Sequence, residues 1–209
     1  TTNNWNAVCL AGVTGAALAL ADTPQERAEF VAAAEKFSRN FLAGFPADGY
    51  CTEGLGYWNY GFGHYVRLAE TVWQATGGQL DLFALPEVAM PAQFGARIQV
   101  MGGVAPAFAD CSISARPDSV TMWYANRRLG LGLSDYDELD PAHVIGSLTD
   151  GMLFLFESSA ASTPPAAEAT GAGLRTWFDQ AGILIGRPSP GSDCRLGVAL
   201  KGGHNNEHH

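Results

Sequence analysis

No apolar run in the sequence is long enough to cross a bilayer. The best candidate, Met152 to Phe156, spans five residues, against the roughly 20 that a membrane helix needs. Cysteine is scarce and scattered: Cys9, Cys51, Cys111 and Cys194 show no CxxC spacing. That argues against a zinc cluster or a dense disulfide framework and leaves buried free thiols as the simple expectation. Basic residues are also few, with 12 Lys and Arg against 21 Asp and Glu and a net charge of −9. Such a surface repels nucleic acid and anionic membrane, so neither is expected as a partner. It also weighs mildly against a densely sulfated polyanion. Charged residues of both signs make up only 16% and hydrophobic residues 47% of the chain, a globular rather than a disordered composition.

The 209 residues suffice for one sizeable core, or for one domain and the start of another. The chain enters a helical pattern almost at once and finishes in Lys201–His209. Both ends read as cuts through a longer protein.

Three-four spacing predicts a first helix over residues 5–21, with Trp5, Val8, Gly12, Gly15, Ala16 and Ala19 on one face. Thr23-Pro24-Gln25-Glu26 is a helix start: Thr23 as N-cap, Pro24 in the first turn and Glu26 closing a capping box. Phe30, Ala34, Phe37 and Phe41 are the expected apolar stripe of that second helix, which Gly44 ends. A third helix over 57–75 places Trp58, Phe62, Tyr65, Leu68 and Val72 inside. A shorter helix is expected over 85–94, interrupted by Pro86 and Pro91. Residues 98–116 read as a long loop, 117–129 and 141–146 as helices, and 152–156 as an apolar segment. Small and polar residues with Pro164-Pro165 mark 158–173 as a linker. The period then shifts towards two, predicting strands over 181–185 and 195–200. The expected organisation is a helical portion (1–157), a linker (158–173) and the start of a β-rich domain (174–209). Antiparallel helical hairpins of this kind build an (α/α) toroid or an ordinary bundle, and the pattern alone does not separate the two.

The segment from Asp48 to Gly61 is the most distinctive. On the third helix Tyr57, Tyr60 and His64 fall at i, i+3 and i+7, so they share a ridge. Two phenols and an imidazole there can bind a sugar or pass a proton; the plainer reading is half-buried aromatics with polar tips. Asn3 and Asn4 open the first helix, either as simple caps or as an amide that binds a carboxylate. His204, His208 and His209 follow the last strand as metal ligands, catalytic groups or a tag remnant. Asp110 is a turn residue or lines a cleft. Among the arginines Arg67, Arg97, Arg116, Arg127 and Arg128 are candidates for an anion site.

Four segments, NNWNAVCLAGVTGAALAL (3–20), DGYCTEGLGYWNYGFGHYVRLAE (48–70), WYANRRLG (123–130) and LGVALKGGHNNEHH (196–209), together resemble the heparinase II/III-like polysaccharide lyases. The resemblance implies a mainly α fold: part of an (α/α) toroid followed by the first strands of an antiparallel β-sandwich domain. It implies β-elimination on a uronic-acid-containing polysaccharide, with an acidic polysaccharide or oligosaccharide as partner and a periplasmic or secreted location. Asn4 matches the amide that neutralises the uronate carboxylate, Tyr57 the acid/base tyrosine (Tyr60 second), and His209 the catalytic histidine from the β domain. Trp5, Glu53, Tyr60, His64, His204 and His208 are the corresponding substrate-binding candidates, Glu53 by holding the loop ahead of Tyr57. No metal or other cofactor is expected within this chain; a zinc or calcium ion would belong to the remainder of the β domain. Oligomeric state is left open. One position departs from the family: many members carry a His directly after the Asn, where this chain has Trp5. Two alternatives follow: a non-catalytic carbohydrate-binding or scaffold protein on the same fold, or a toroid glycoside hydrolase using Glu53 and Asp110.

Overall fold

The structure, a computed structural model, describes residues 1–140, 142, 148–155 and 173–202. Its centre is α3 (Leu55–Ala75), flanked by α1 (Asn4–Leu20) and α2 (Pro24–Leu42). The expected inner face of α3 is the observed one: Trp58, Phe62, Tyr65, Leu68 and Val72 are all buried. Trp58 stacks on Phe62 at 5.2 Å and Phe62 on Tyr65 at 5.8 Å. The polar ends of this ladder are satisfied, since the Trp58 indole N–H donates to the Pro91 carbonyl and the Tyr65 hydroxyl to that of Leu82, each at 2.8 Å. Burial raises the Tyr65 pKa, with Asp81 adding to it.

The ends of the three helices fix their directions. Asn4, Phe41 and Tyr57 line one cavity, and Leu18, Pro24 and Ala75 another. Hence α1 and α3 run the same way, with α2 antiparallel to both. Thr23 begins α2 with the predicted capping box: its hydroxyl accepts from the Glu26 N–H at 3.2 Å, and Glu26 accepts from the Thr23 N–H at 3.0 Å.

Two helical faces differ from expectation. On α1 the buried residues are Asn4, Ala7 and Thr14, with Leu10 and Ala11 packed against the core, while Trp5 is 61% exposed and Gly12, Ala16 and Ala19 also face out. The helix carries no charged residue, so nothing polar marked its solvent side. Close approach to α3 selected the face instead. A Cβ at Gly61 would lie 2.8 Å from Asn4 Cβ, so the glycine in mid-helix is what lets α1 sit down on α3. On α2 the stripe is Ala34, Ser38, Phe41 and Leu42, rotated from the expected one, and Phe30 and Phe37 are exposed.

Pro86 opens a 3-10 turn (Pro86–Val88) that leads into α4 (Ala89–Arg97). Pro91 does not break α4, because it lies in the first turn, where its missing N–H has no helical partner to lose. Helix α5 (Ser119–Leu129) starts at Asp118, whose carboxylate accepts from the Thr121 N–H at 2.8 Å, and stops at Gly130 in the left-handed region. Its Tyr124 donates to the buried Glu70 of α3, and its Arg128 pairs with Asp81 at 2.7 Å. Gly63 admits α5 on the opposite side of α3 from α1, its Cβ position lying 3.2 Å from Thr121 Oγ1. Of the apolar segment expected over 152–156, residues 152–155 belong to α6 (Leu148–Leu155) and 156 lies outside the described residues. Most of the helix expected over 141–146, nearly all of the linker, and His204, His208 and His209 lie outside the described residues.

Three strands form an antiparallel meander in the order β1 (Arg175–Phe178), β2 (Ile183–Gly186), β3 (Val198–Lys201). Expectation held two of them; β1 is an addition, four residues too short to reveal a period. The inner row packs on the helices. Phe178, Ile183 and Ile185 are buried, and the Phe178 ring lies 5.2 Å from Tyr50 and 5.8 Å from Phe94. Arg187 ties the sheet down: it donates to the carbonyls of Gln99 (2.7 Å), Gly173 (2.9 Å) and Arg97, and to Thr176 Oγ1 at 2.9 Å. The molecule is mainly helical with a small antiparallel sheet on the same core.

Candidate functional site

The loop between α2 and α3 sets the position of the candidate residues. Asp48 accepts from the Tyr50 N–H at 3.1 Å, the Arg97 guanidinium holds the Asp48 carbonyl, and the Gly54 N–H returns to the Cys51 carbonyl at 3.0 Å. Gly54 then precedes α3 with φ 87°, a value that favours glycine. The segment from Phe108 to Cys111 packs against it, with Phe108 O 2.7 Å from where a Gly54 Cβ would stand. Cys51 is buried in this turn, and desolvation raises its thiol from an ordinary 9.0 to about 12. It is therefore neutral near pH 7 and no nucleophile.

This loop and the starts of α1 and α3 enclose a cavity of about 260 Å³ lined by Asn4, Glu53 and Tyr57, with Thr2, Phe41 and Cys51 around them. Asn4 is 5% exposed. Asn3 is the N-cap of α1, but its side chain makes no capping hydrogen bond. The amide at the mouth of α1 and the phenol at the start of α3 thus meet one space, beside a carboxylate. An amide N–H and a phenol O–H can donate to a sugar carboxylate, and the phenol can move a proton beside it.

Tyr60 and His64 are not part of that space. They line a second cavity of about 830 Å³, between α1, α3, α6 and the loop before α5. The two rings touch edge to face at 4.7 Å, and His64 Nδ1 lies 2.6 Å from the Tyr60 carbonyl oxygen. The i, i+3, i+7 ridge therefore serves two different cavities, its first member turned to one and the other two to the next. Around the second cavity stand Arg67, whose guanidinium pairs with Asp150 at 2.6 Å, and Arg116, which donates to the Gly102 carbonyl at 2.5 Å. Asn59 was not singled out by its spacing, yet it clamps the wall of this cavity. It donates to the Arg116 carbonyl and accepts from the Asp118 N–H, both at 2.9 Å. Gly61 was missed likewise; the signal available was a glycine pair, Gly61 and Gly63, inside an otherwise strong helix.

Trp5 projects from the exposed face of α1. Asp110 belongs to the loop packed over Gly54 and Gly56, its carbonyl oxygen 3.7 Å from the Gly56 Cβ position. Arg97 and Arg187 serve the sheet and the 46–54 loop, and burial lowers the pKa of both guanidiniums. Arg127 and Arg128 lie in the last turn of α5, with the Arg128 guanidinium 4.9 Å from the Trp73 ring. Among the described residues no three of His, Cys, Asp and Glu come together to hold a metal ion, and no helix is long and apolar enough to cross a membrane. No family model matches the chain, and no curated protein is significantly similar to it.

Proposed function

We propose that this chain is the helical portion of a uronate-specific polysaccharide lyase acting by β-elimination. One observation supports this above the others: Asn4 and Tyr57, from the starts of two different helices, line the same cavity next to Glu53. In this reading the Asn4 amide N–H donates to an oxygen of the uronate carboxylate and draws off charge as the adjacent carbon loses its proton. Tyr57 is the general base that takes that proton. The C–H electrons become the new C=C bond, the bond to the glycosidic oxygen breaks, and that oxygen receives a proton from the Tyr57 hydroxyl. Glu53 holds the loop ahead of Tyr57, and His209 is assigned the histidine role from the β side. The parallel run of α1 and α3, with α2 antiparallel between their ends, agrees with the hairpin units of a toroid.

The test is direct. The protein that carries this chain is incubated with alginate, heparan, chondroitin and hyaluronan, and the ultraviolet absorbance of unsaturated product is followed. The expected result is product from at least one polymer, with Tyr57→Phe lowering kcat by about 100-fold or more. No absorbance with any uronate polymer overturns the proposal. A second reading, a hydrolase using Glu53 and Asp110, has its two acids on neighbouring loops, that of Asp110 packing over Gly54 and Gly56. It is recognised by new reducing ends without ultraviolet absorbance.

A further inference from the structure

The larger cavity has features that the proposed elimination does not use. The Tyr60 carbonyl can only accept a hydrogen bond, so the His64 nitrogen 2.6 Å from it carries the proton. In the neutral ring the lone pair then resides on Nε2, the distal nitrogen, which faces away from its own helix. Beside it, Arg67 also lines the cavity, with its side chain partly exposed and one guanidinium nitrogen paired with Asp150. The opposite wall is built of small residues: Ala11, Gly12 and Gly15 of α1 line the cavity, and a Cβ at either glycine would meet nothing within 4 Å. Charge in and around the wall is balanced. Arg67 is paired with Asp150, and Arg116 stands with Asp118 in the lining. A polyanion gains nothing there. A group that both donates and accepts is matched, because Nε2 and Asp118 accept while the guanidiniums and the Tyr60 hydroxyl donate.

We propose that this cavity is a second binding site, separate from the Asn4–Tyr57 cavity, for neutral pyranose units of a short oligosaccharide. A sugar hydroxyl donates to His64 Nε2, a second oxygen accepts from Arg67, and the small-residue wall of Ala11, Gly12 and Gly15 and the Tyr60 ring meet the C–H face of the sugar. A volume of about 830 Å³ is in the usual range for small-molecule sites. The site does not depend on turnover at the smaller cavity.

The 209-residue chain is titrated with α- and β-linked glucose tetrasaccharides and with mannuronate tetrasaccharide, reading calorimetric heat and the 15N shifts of the His64 ring. The expected result is binding of a neutral tetrasaccharide at about millimolar strength, a shift at Nε2, and a loss of affinity of about tenfold or more in Gly15→Leu, which fills the space. If Gly15→Leu loses its helical circular dichroism, His64→Ala takes its place with the same expected loss. Binding of neither glucose oligosaccharide, binding of the uronate alone, or unaltered affinity in the variant overturns the proposal. Absence of unsaturated product defeats the lyase reading alone, so the two fail separately.

Discussion

A single methyl group divides the glycines of this protein by what stands opposite them. At Gly61 an added Cβ meets Asn4 Cβ at 2.8 Å and Phe41 Cε2 at 3.2 Å, whereas at Gly12 it meets nothing within 4 Å. Gly61→Ala is therefore expected to cost about 1–3 kcal/mol through overpacking, and Gly12→Ala to add about 0.5–1 kcal/mol by restricting the unfolded chain and favouring helix. Urea unfolding of both variants measures this; equal effects of the same sign would contradict the account of the α1–α3 contact. Cys51 offers a second check at this scale. Its thiol is raised by burial from 9.0 to about 12, so the folded state holds a proton that the unfolded state releases first as pH rises. Its stabilising contribution is complete below about pH 9 and is lost as pH climbs towards 12. Alkylation of the native protein at pH 8 should accordingly reach the exposed Cys9 and Cys194 well before the buried Cys51 and Cys111, with peptide mapping as the readout.

Helix boundaries and caps were read where local chemistry writes them. Thr23-Pro24-Gln25-Glu26 specifies its own start, because the hydroxyl and the carboxylate reach back to backbone groups three residues away. Thr23→Ala should cost about 1 kcal/mol in thermal or chemical unfolding. The inner face of α3 was equally legible, since its aromatics recur at helical spacing against a polar remainder. The faces of α1 and α2 were not. In α1 the apolar residues run all round the helix, and the buried side was chosen by the neighbour whose backbone comes closest, a glycine 57 positions further along the chain from Asn4. For the strands, local sequence gave no anchor at all. Arg187 supplies it, by reaching carbonyls of α4 and of the turn that follows it. Arg187→Ala should leave these part-buried acceptors without their partner at a cost of about 1–3 kcal/mol. Hydrogen exchange should then quicken across β1–β3 while α3 stays protected.

At the scale of the molecule, Phe178, Ile183 and Ile185 belong to the same buried cluster as Tyr50, Trp58 and Phe94. A single cooperative transition is therefore expected, with far-ultraviolet circular dichroism and tryptophan fluorescence losing signal together; two separated transitions would mean that helices and sheet are independent units. The sequence by itself determined the mainly helical class, the capping box of α2, the inner face of the central helix and the ridge of Tyr57, Tyr60 and His64, because each of these is set by residue type and by spacing within about two helical turns; Asn4 and Glu53 entered as candidates through the family resemblance. Only the tertiary structure decided that Asn4 and Tyr57 line one cavity while Tyr60 and His64 line another. Spacing along a helix fixes the angle at which a side chain leaves it, but which space that side chain enters is set by the elements packed around the helix, and those arrive from distant parts of the chain.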